Sequence, residues 1–433
     1  MVKQKHKSTK CGKFELVRNK NISTGVNLMP EIIIEQNKDI INYINMLKLP
    51  YSEAIQNHMV HMVSGIITTE GSKNVSRIYS KHTCNRDRSC GSRFLGEYKW
   101  SNDYVDHKRI NHSLNVVRNS VNEDTAGFLI IDDSLSKKDK STKKIEGLDF
   151  HHSHSDGKPM WSHCVVTSHY KISDYSLPQS FKLYLRKQFF GNKAKKHFKN
   201  KQELAMQLID EFIPVTETTY LLLDAWYTSG KVMLHALKRG YHTIGRIKSN
   251  RVIYPGGIKT SVREFSTFIS KDETSPVTAG DDTYYVYRYE GKINDLENAV
   301  ILFCWSKPDL SDKPAFILST DVSLTTSEIL LYYQNRWDIE VSYRYQKNSL
   351  GFDEYQVESL TSIKRFWSMV FMTYTFLELF RVSNKKSLKL DNLGDTIGYF
   401  RKQYLVSIAK FAYTCAVKGV TVDTVITKLG IVA

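Results

Sequence analysis

Apolar positions along the chain fall into three textures. From Glu31, the segments "EIIIEQNKDIINYINML", "YSEAIQNHMVHMVSGIITTE", "NVSRIYSK" and "SRFLGEYKWSNDYVDHKRINHSLNVVRNSV" repeat apolar residues at three and four. That is the spacing of helices with one buried face, and it predicts about four to six of them. Short helices joined at Gly71 and Gly91 admit a helix-turn-helix, although any small bundle shows the same pattern. The texture changes at Gly127. "GFLIIDDS" is a continuous apolar run capped by Asp132 and Asp133, as in a buried strand whose polar end emerges at a sheet edge. "MWSHCVVTSHYKI" and "SFKLYLRKQF" read as extended, and "NKQELAMQLIDEFI" as an amphipathic helix. "TYLLLDAWYTSGKVMLHALKRGYHTIGRIK" then reads as strand, helix, strand, its first strand ending at Asp224. Two Asp-bearing strand ends therefore lie where open α/β sheets place their sites.

From Ser249 to Thr320 the strand-like runs "RVIYPGG", "DDTYYVYRYEGKI", "AVILFCWSK" and "AFILSTD" predict a compact antiparallel insert. Helical texture resumes at Ser327 and persists through "FWSMVFMTYTFLELF", which is shorter than the ~18 apolar residues of a membrane span and contains Glu378, so a buried helix is expected. In "YYQNRWDIEVSYRYQK", Tyr333, Arg336, Glu340 and Lys347 fall within roughly 60° of one another on a helix and span roughly 21 Å. An ordinary helix would make that stripe apolar, yet Trp337, Ile339 and Val341 lie to its sides. Two readings are open: a solvated ion-pair ladder, or a site completed from outside the helix.

A chain of 433 residues with 41% hydrophobic residues predicts two to four domains with buried cores. Its 61 Lys and Arg against 45 Asp and Glu leave a charge of +16, which points to a polyanionic partner, nucleic acid first. The first twenty residues read as a mobile basic arm. The 6 cysteines, Cys11, Cys84, Cys90, Cys164, Cys304 and Cys415, form no CxxC pair, so a reducing, cytoplasmic compartment is expected. His82, Cys84 and Cys90 lack a fourth ligand for a metal. No secretory segment is visible.

If the two strand-end Asp residues and Glu340 converge, three hard oxygen donors could hold one or two Mg²⁺ ions, with Mn²⁺ as a substitute. Such ions activate water or a 3′-hydroxyl in the in-line displacement of a phosphodiester, while Tyr, Arg and Lys neighbours grip flanking phosphates. Asp224 could equally be a turn cap. Asp132 and Asp133 point to opposite faces, so only one of them can serve. His151, His152 and His154 follow a charged loop and read as polar surface or substrate contacts. Trp226 and Tyr227 read as core, though a base could stack there.

Tyr333, Arg336, Glu340 and Lys347 reproduce the Y-x2-R-x3-E-x6-K signature, and the chain thereby resembles the DDE transposases of the insertion-sequence four superfamily. "LIIDDSLSKK", "EGLDFHHSHSDGK" and "LLLDAWYTS" are similar to the segments around the first and second Asp. The resemblance covers Gly127 to Glu358 and reaches the N-terminal helices only through "SGIITTEG" and "SRFLGEYKW". It implies an α/β fold: an RNase H-like catalytic core interrupted by an antiparallel β insert, with helical N- and C-terminal regions. The implied organisation is a basic arm over 1–29, a helical DNA-binding region over 30–124, core over 125–248 and 323–382, the insert over 249–322, and a helical tail over 383–433.

Residue by residue, the implied catalytic and metal-binding set is Asp132, Asp224 and Glu340. Asp132 is preferred to Asp133 because the family segment runs Asp, any residue, then Thr or Ser. Tyr333, Arg336 and Lys347 would contact DNA phosphates, including those beside a flipped or hairpinned base. Two metal ions, double-stranded DNA at transposon ends and target, and a homodimer are implied, with no organic cofactor and no membrane. Trp367, Met369 and Phe371 are candidates for the dimer contact or for core. One departure is Ser162 before His163, where relatives often have Gly-His, which bears on local strand geometry. The implied activity is cut-and-paste transposition. The rivals are a metal-dependent nuclease that does not join strands and a non-catalytic DNA-binding descendant.

Overall fold

A computed structural model describes residues 36–81, 88–153 and 156–428. The basic arm, His82, Cys84 and His154 lie outside the described residues. Five helices come first: α1 (Lys38–Met46), α2 (Glu53–Thr68), α3 (Val75–Lys81), α4 (Arg88–Gly96) and α5 (Asn102–Arg118). Strands β1 (Gly127–Lys137), β2 (Asp149–Ser153), β3 (Lys158–Ile172) and β4 (Tyr175–Tyr184) follow, then α6 (Ala194–His197), α7 (Lys201–Glu211), β5 (Thr219–Leu223), α8 (Gly230–Lys238) and β6 (His242–Arg246). Beyond lie β7 (Val252–Ile253), β8 (Thr260–Ser261), α9 (Val262–Phe265), β9 (Ser275–Ala279), β10 (Asp282–Ile293), β11 (Leu296–Trp305) and β12 (Ala315–Ser319). Helices α10 (Thr326–Gln334), α11 (Trp337–Asn348), α12 (Leu360–Leu388), α13 (Leu393–Val417) and α14 (Val422–Lys428) complete the described residues.

All the strands join one mixed sheet. β1 lies between antiparallel β3 and parallel β5, β5 pairs parallel with β6, and β4 pairs with β3. This order and sense are compatible with the RNase H-like core that the resemblance implies. The run from 249 to 322 is antiparallel throughout, as expected, but it does not form a compact sheet of its own. β12 pairs with β6, and β11, β10, β7 and β8 continue outward from it. The reason is an open edge: β6 presents unpaired backbone groups on its far side, and β12 satisfies them.

Three further expectations change. "DFHHS", taken within a loop, is strand β2, with His151 and Ser153 buried and Phe150 and His152 exposed, the period-two pattern of an edge strand. His151 is therefore not a surface group. Gly91 is not a joint but sits inside α4, where a Cβ would lie 2.5 Å from the Tyr79 ring. Gly71, with φ +68, does turn the chain between α2 and α3.

Helix α12 forms the spine. Every residue from Arg365 to Leu379 is buried, the property of a helix enclosed on all sides. Strand β4 and helices α2, α4, α5 and α13 enclose it. Trp367, Met369 and Phe371 are fully buried, so they are core and not a contact surface between protomers. Among the described residues, no helix is long and apolar enough to cross a membrane.

Arg109 fastens α5 to this spine. Its fully buried guanidinium donates to the Pro178 carbonyl at 2.7 Å, the Thr375 hydroxyl at 3.0 Å and Asp106 Oδ1 at 3.1 Å. Burial raises the Asp106 pKa, and Arg109 and the Ser368 hydroxyl partly offset that. Arg109→Ala would strip Asp106 of its counter-charge and the Pro178 and Gln179 carbonyls of this donor in the core. Urea unfolding should show a loss of about 3–5 kcal/mol, and a loss below about 1 kcal/mol would contradict this role.

Candidate active site

Side chains alternate across β1, and its two faces meet different cores. Phe128 and Ile130 pack with Ile329, Leu330 and Ile339 of α10 and α11, whereas Leu129 and Ile131 pack with Tyr227 and the α7 and α8 side. Asp132 therefore faces α11, and Asp133 faces away from it. Ile131 stands opposite Leu223 in the parallel β1–β5 pair. One step further, where the parallel pairing stops, Asp224 lies just past the end of β5, whereas Asp132 is not at a strand end as expected but midway along β1, which runs on to Lys137 paired with β3. The two share a face of strands that in any sheet lie about 4.8 Å apart.

Like charges at that spacing resist ionisation. Burial, then the Asp224 and Asp133 carboxylates, push the Asp132 pKa up to about 8. The Asp133 amide, donating to Asp132 Oδ1 at 2.8 Å, and the Arg336 guanidinium work the other way. Asp224 is also a turn cap: its Oδ1 accepts from the amides of Trp226 and Tyr227, each at 2.9 Å. The turn-cap reading thus holds for one of its oxygens.

Glu340 comes to the same place on α11. Arg336 Nη2 donates to Glu340 Oε1 at 2.5 Å while Nη1 lies 3.8 Å from Asp132 Oδ2, so one guanidinium spans β1 and α11. Tyr333 lies beside it, with the guanidinium 5.9 Å from its ring centre. The Tyr333 pKa is raised, by burial first and by Asp224 among the nearby charges. The stripe is not one unbroken helix. Asn335 and Arg336 form a tight turn whose amides bond three residues back, and the Asn335 amide group bonds the carbonyls of Leu331 and Tyr332. That turn swings Arg336 over Glu340.

Lys347, on the same helix, is engaged with the strand. Its ammonium donates to the Leu135 carbonyl at 2.9 Å, and burial lowers its pKa. It ties α11 to β1. Asp133 is likewise engaged, accepting from Lys201 at 2.7 Å, the Tyr227 hydroxyl at 2.9 Å and the Cys164 thiol at 3.3 Å. Among the described residues, no cluster of three or more His, Cys, Asp or Glu side chains is close enough to hold a metal ion, and it is Arg336 that contacts both Asp132 and Glu340. Ser162 and His163 sit in regular β3 pairing with Lys137 and Ser136, so the departure from Gly-His leaves the strand intact.

A family model described as DDE superfamily endonuclease matches residues 50–263, and one described as transposase DDE domain matches residues 198–376. The chain belongs to the DDE transposase superfamily. The matches together run from α2 into α12, which assigns the chain to nucleic-acid cleavage with DNA as the partner. None of the curated proteins compared with it matches.

Sequence reasoning on this DDE chain passed over three groups at the site. Tyr343, one turn beyond Glu340, bonds Thr167 at 2.6 Å, and its hydroxyl pKa is raised by burial and by Asp132. Its position on the same helix face was a usable signal. Arg246 and Lys201 carry no local signal, since only the packing of β6 and α7 brings them near.

In metal-free protein, Asp132 keeps its proton well above the ~3.9 at which an unfolded Asp ionises. Folding therefore retains a proton, and this group's contribution to stability falls as pH rises from about 4 to about 8. Asp132→Asn removes the dependence. In EDTA, the variant's melting temperature relative to the parent should be higher near the top of that window than near its bottom, and an equal offset at both ends would contradict the assignment.

Proposed function

We propose that the protein is a cut-and-paste transposase of the insertion-sequence four type, with Asp132, Asp224 and Glu340 as its catalytic carboxylates. The observation that carries this reading is the Arg336 bridge: one side chain touches both Asp132 and Glu340 while Asp132 abuts Asp224. Three acids far apart in sequence share one neighbourhood.

The donor set suits a divalent cation, because hard oxygens crowded enough to raise the Asp132 pKa gain from a positive charge between them. Asp132 and Asp224 would hold Mg²⁺, or Mn²⁺ in its place, with Glu340 completing the set once it leaves Arg336, and up to two ions would supply Lewis-acid stabilisation of the phosphoryl oxygens. The chain's own residues do the rest. Arg336, freed from Glu340, would take a phosphate oxygen as a planar bidentate donor, and Tyr333 would line the strand beside it. In the first reaction, water attacks the phosphorus, a P–O bond forms, and the 3′-oxygen departs with a proton. In the second, that 3′-hydroxyl attacks a target phosphodiester, forming one P–O bond as another breaks.

In this reading residues 30–124 bind transposon ends, 249–322 are the insertion, and two protomers pair two ends. The net charge of +16 supports the DNA contact. With all three carboxylates near one another, a non-catalytic descendant is disfavoured. Glu340→Gln should reduce Mg²⁺-dependent cleavage of end DNA by at least about a hundredfold while leaving end binding intact, measured on labelled duplex with supercoiled target present. Retained cleavage would remove Glu340 from the set, and cleavage by the parent without joined product would favour the nuclease rival.

A further inference from the structure

A second concavity opens on the other face of β1, the side towards which Asp133 points. It measures about 450 Å³ and is walled by His151 of β2, Tyr184 of β4, Arg186, Lys187, Lys201 of α7 and Trp226. That volume is within the ~300–1,000 Å³ range of small-ligand sites and far below what a stack of base pairs needs. Trp226 is 39% exposed at its rim, two residues beyond Asp224, and is fixed by an edge contact with Tyr227 at 4.8 Å between ring centres. Lys201 Nζ lies 5.6 Å from the Trp226 ring centre and 5.8 Å from that of Tyr184.

Two features point to a ligand. Arg186 bonds the Phe150 carbonyl and lies 3.9 Å from Asp149 Oδ2, which fix its direction while its side chain stays 43% exposed. His151 is 95% buried in the pocket wall, and its Nε2, itself shielded from solvent, has no hydrogen-bond partner among the described residues. Burial, then Arg186 and Lys201, lower the His151 pKa to about 4, so at neutral pH the ring is uncharged and suited to a base edge or sugar oxygen. Cations at the mouth, an exposed indole at the rim and an unmet imidazole inside match the parts of a nucleotide.

We propose that this pocket binds one unpaired nucleotide of a DNA strand, its base against Trp226 and its phosphate against Arg186 and Lys187. The site is separate from the Tyr333 and Arg336 grip, which lies on the opposite face of β1. It rests on the DNA-cleaving reading for the identity of the polyanion.

The test uses the full chain in EDTA with a labelled short oligo(dT) and a labelled duplex of equal length, read by fluorescence anisotropy. Trp226→Ala should weaken oligo(dT) binding by about 5- to 100-fold and duplex binding by no more than about twofold. One abasic nucleotide in the oligomer should cause a similar loss in the parent and none further in the variant. A variant that leaves the indole alone, Lys187→Gln, should reduce the salt slope of oligomer binding by roughly 0.7. Oligomer binding indifferent to Trp226 and Lys187, in a parent that binds duplex, overturns the pocket alone. A parent that binds neither DNA overturns the DNA reading as well.

Discussion

Two carboxylates crowded on one face of adjacent parallel strands, one of them deeply buried, resist carrying two charges without a cation beside them. That constraint organises the site. Backbone pairing up to Ile131 and Leu223 sets the spacing of the backbone that carries Asp132 and Asp224. The protein answers in two ways: Asp132 keeps its proton, and Arg336 supplies a positive charge. An ion pair within a carboxylate cluster is a placeholder for whatever cation the cluster attracts more strongly, and the exchange would free Arg336 for a phosphate.

Glu340 arrives because α11 is fastened at several points along its length. Tyr343 bonds Thr167 on β3, Lys347 bonds the β1 backbone at Leu135, and Asp338 accepts from Ser176 at 2.9 Å. The Ser176 amide in turn donates to Glu378 of α12, which pairs with Arg381 at 2.8 Å. A chain of polar contacts thus runs from the buried spine to the helix carrying Glu340. The same strategy holds Asp133, whose bonds to Lys201 and Tyr227 tie α7 and the turn after Asp224 to β1.

Much of this was legible in the sequence. The apolar runs before Asp132 and Asp224 marked buried strands, and the apolar run around Trp367, too short for a membrane span and containing Glu378, marked a buried helix. Period two showed that Asp132 and Asp133 part company, but not which faces α11, since that depends on where α10 and α11 pack. Three features were illegible for physical reasons. Strand β2 is short and polar and gains its order from pairing with β3. The antiparallel run after Ser249 reads alike whether it forms its own sheet or joins β6. The bond from Lys347 to the Leu135 carbonyl gave no signal either, because backbone groups carry no sequence signature.

The central claim is that Asp132, and not Asp133, shares a divalent-cation site with Asp224. Titration of Mn²⁺ into the purified protein, followed by electron paramagnetic resonance, tests it directly when the parent is compared with Asp132→Asn, Asp133→Asn and Asp224→Asn. The account predicts that the Asp132 and Asp224 variants each lose Mn²⁺ affinity while Asp133→Asn keeps it. Equal binding by the parent and the Asp132 and Asp224 variants, or a loss confined to Asp133→Asn, would contradict it.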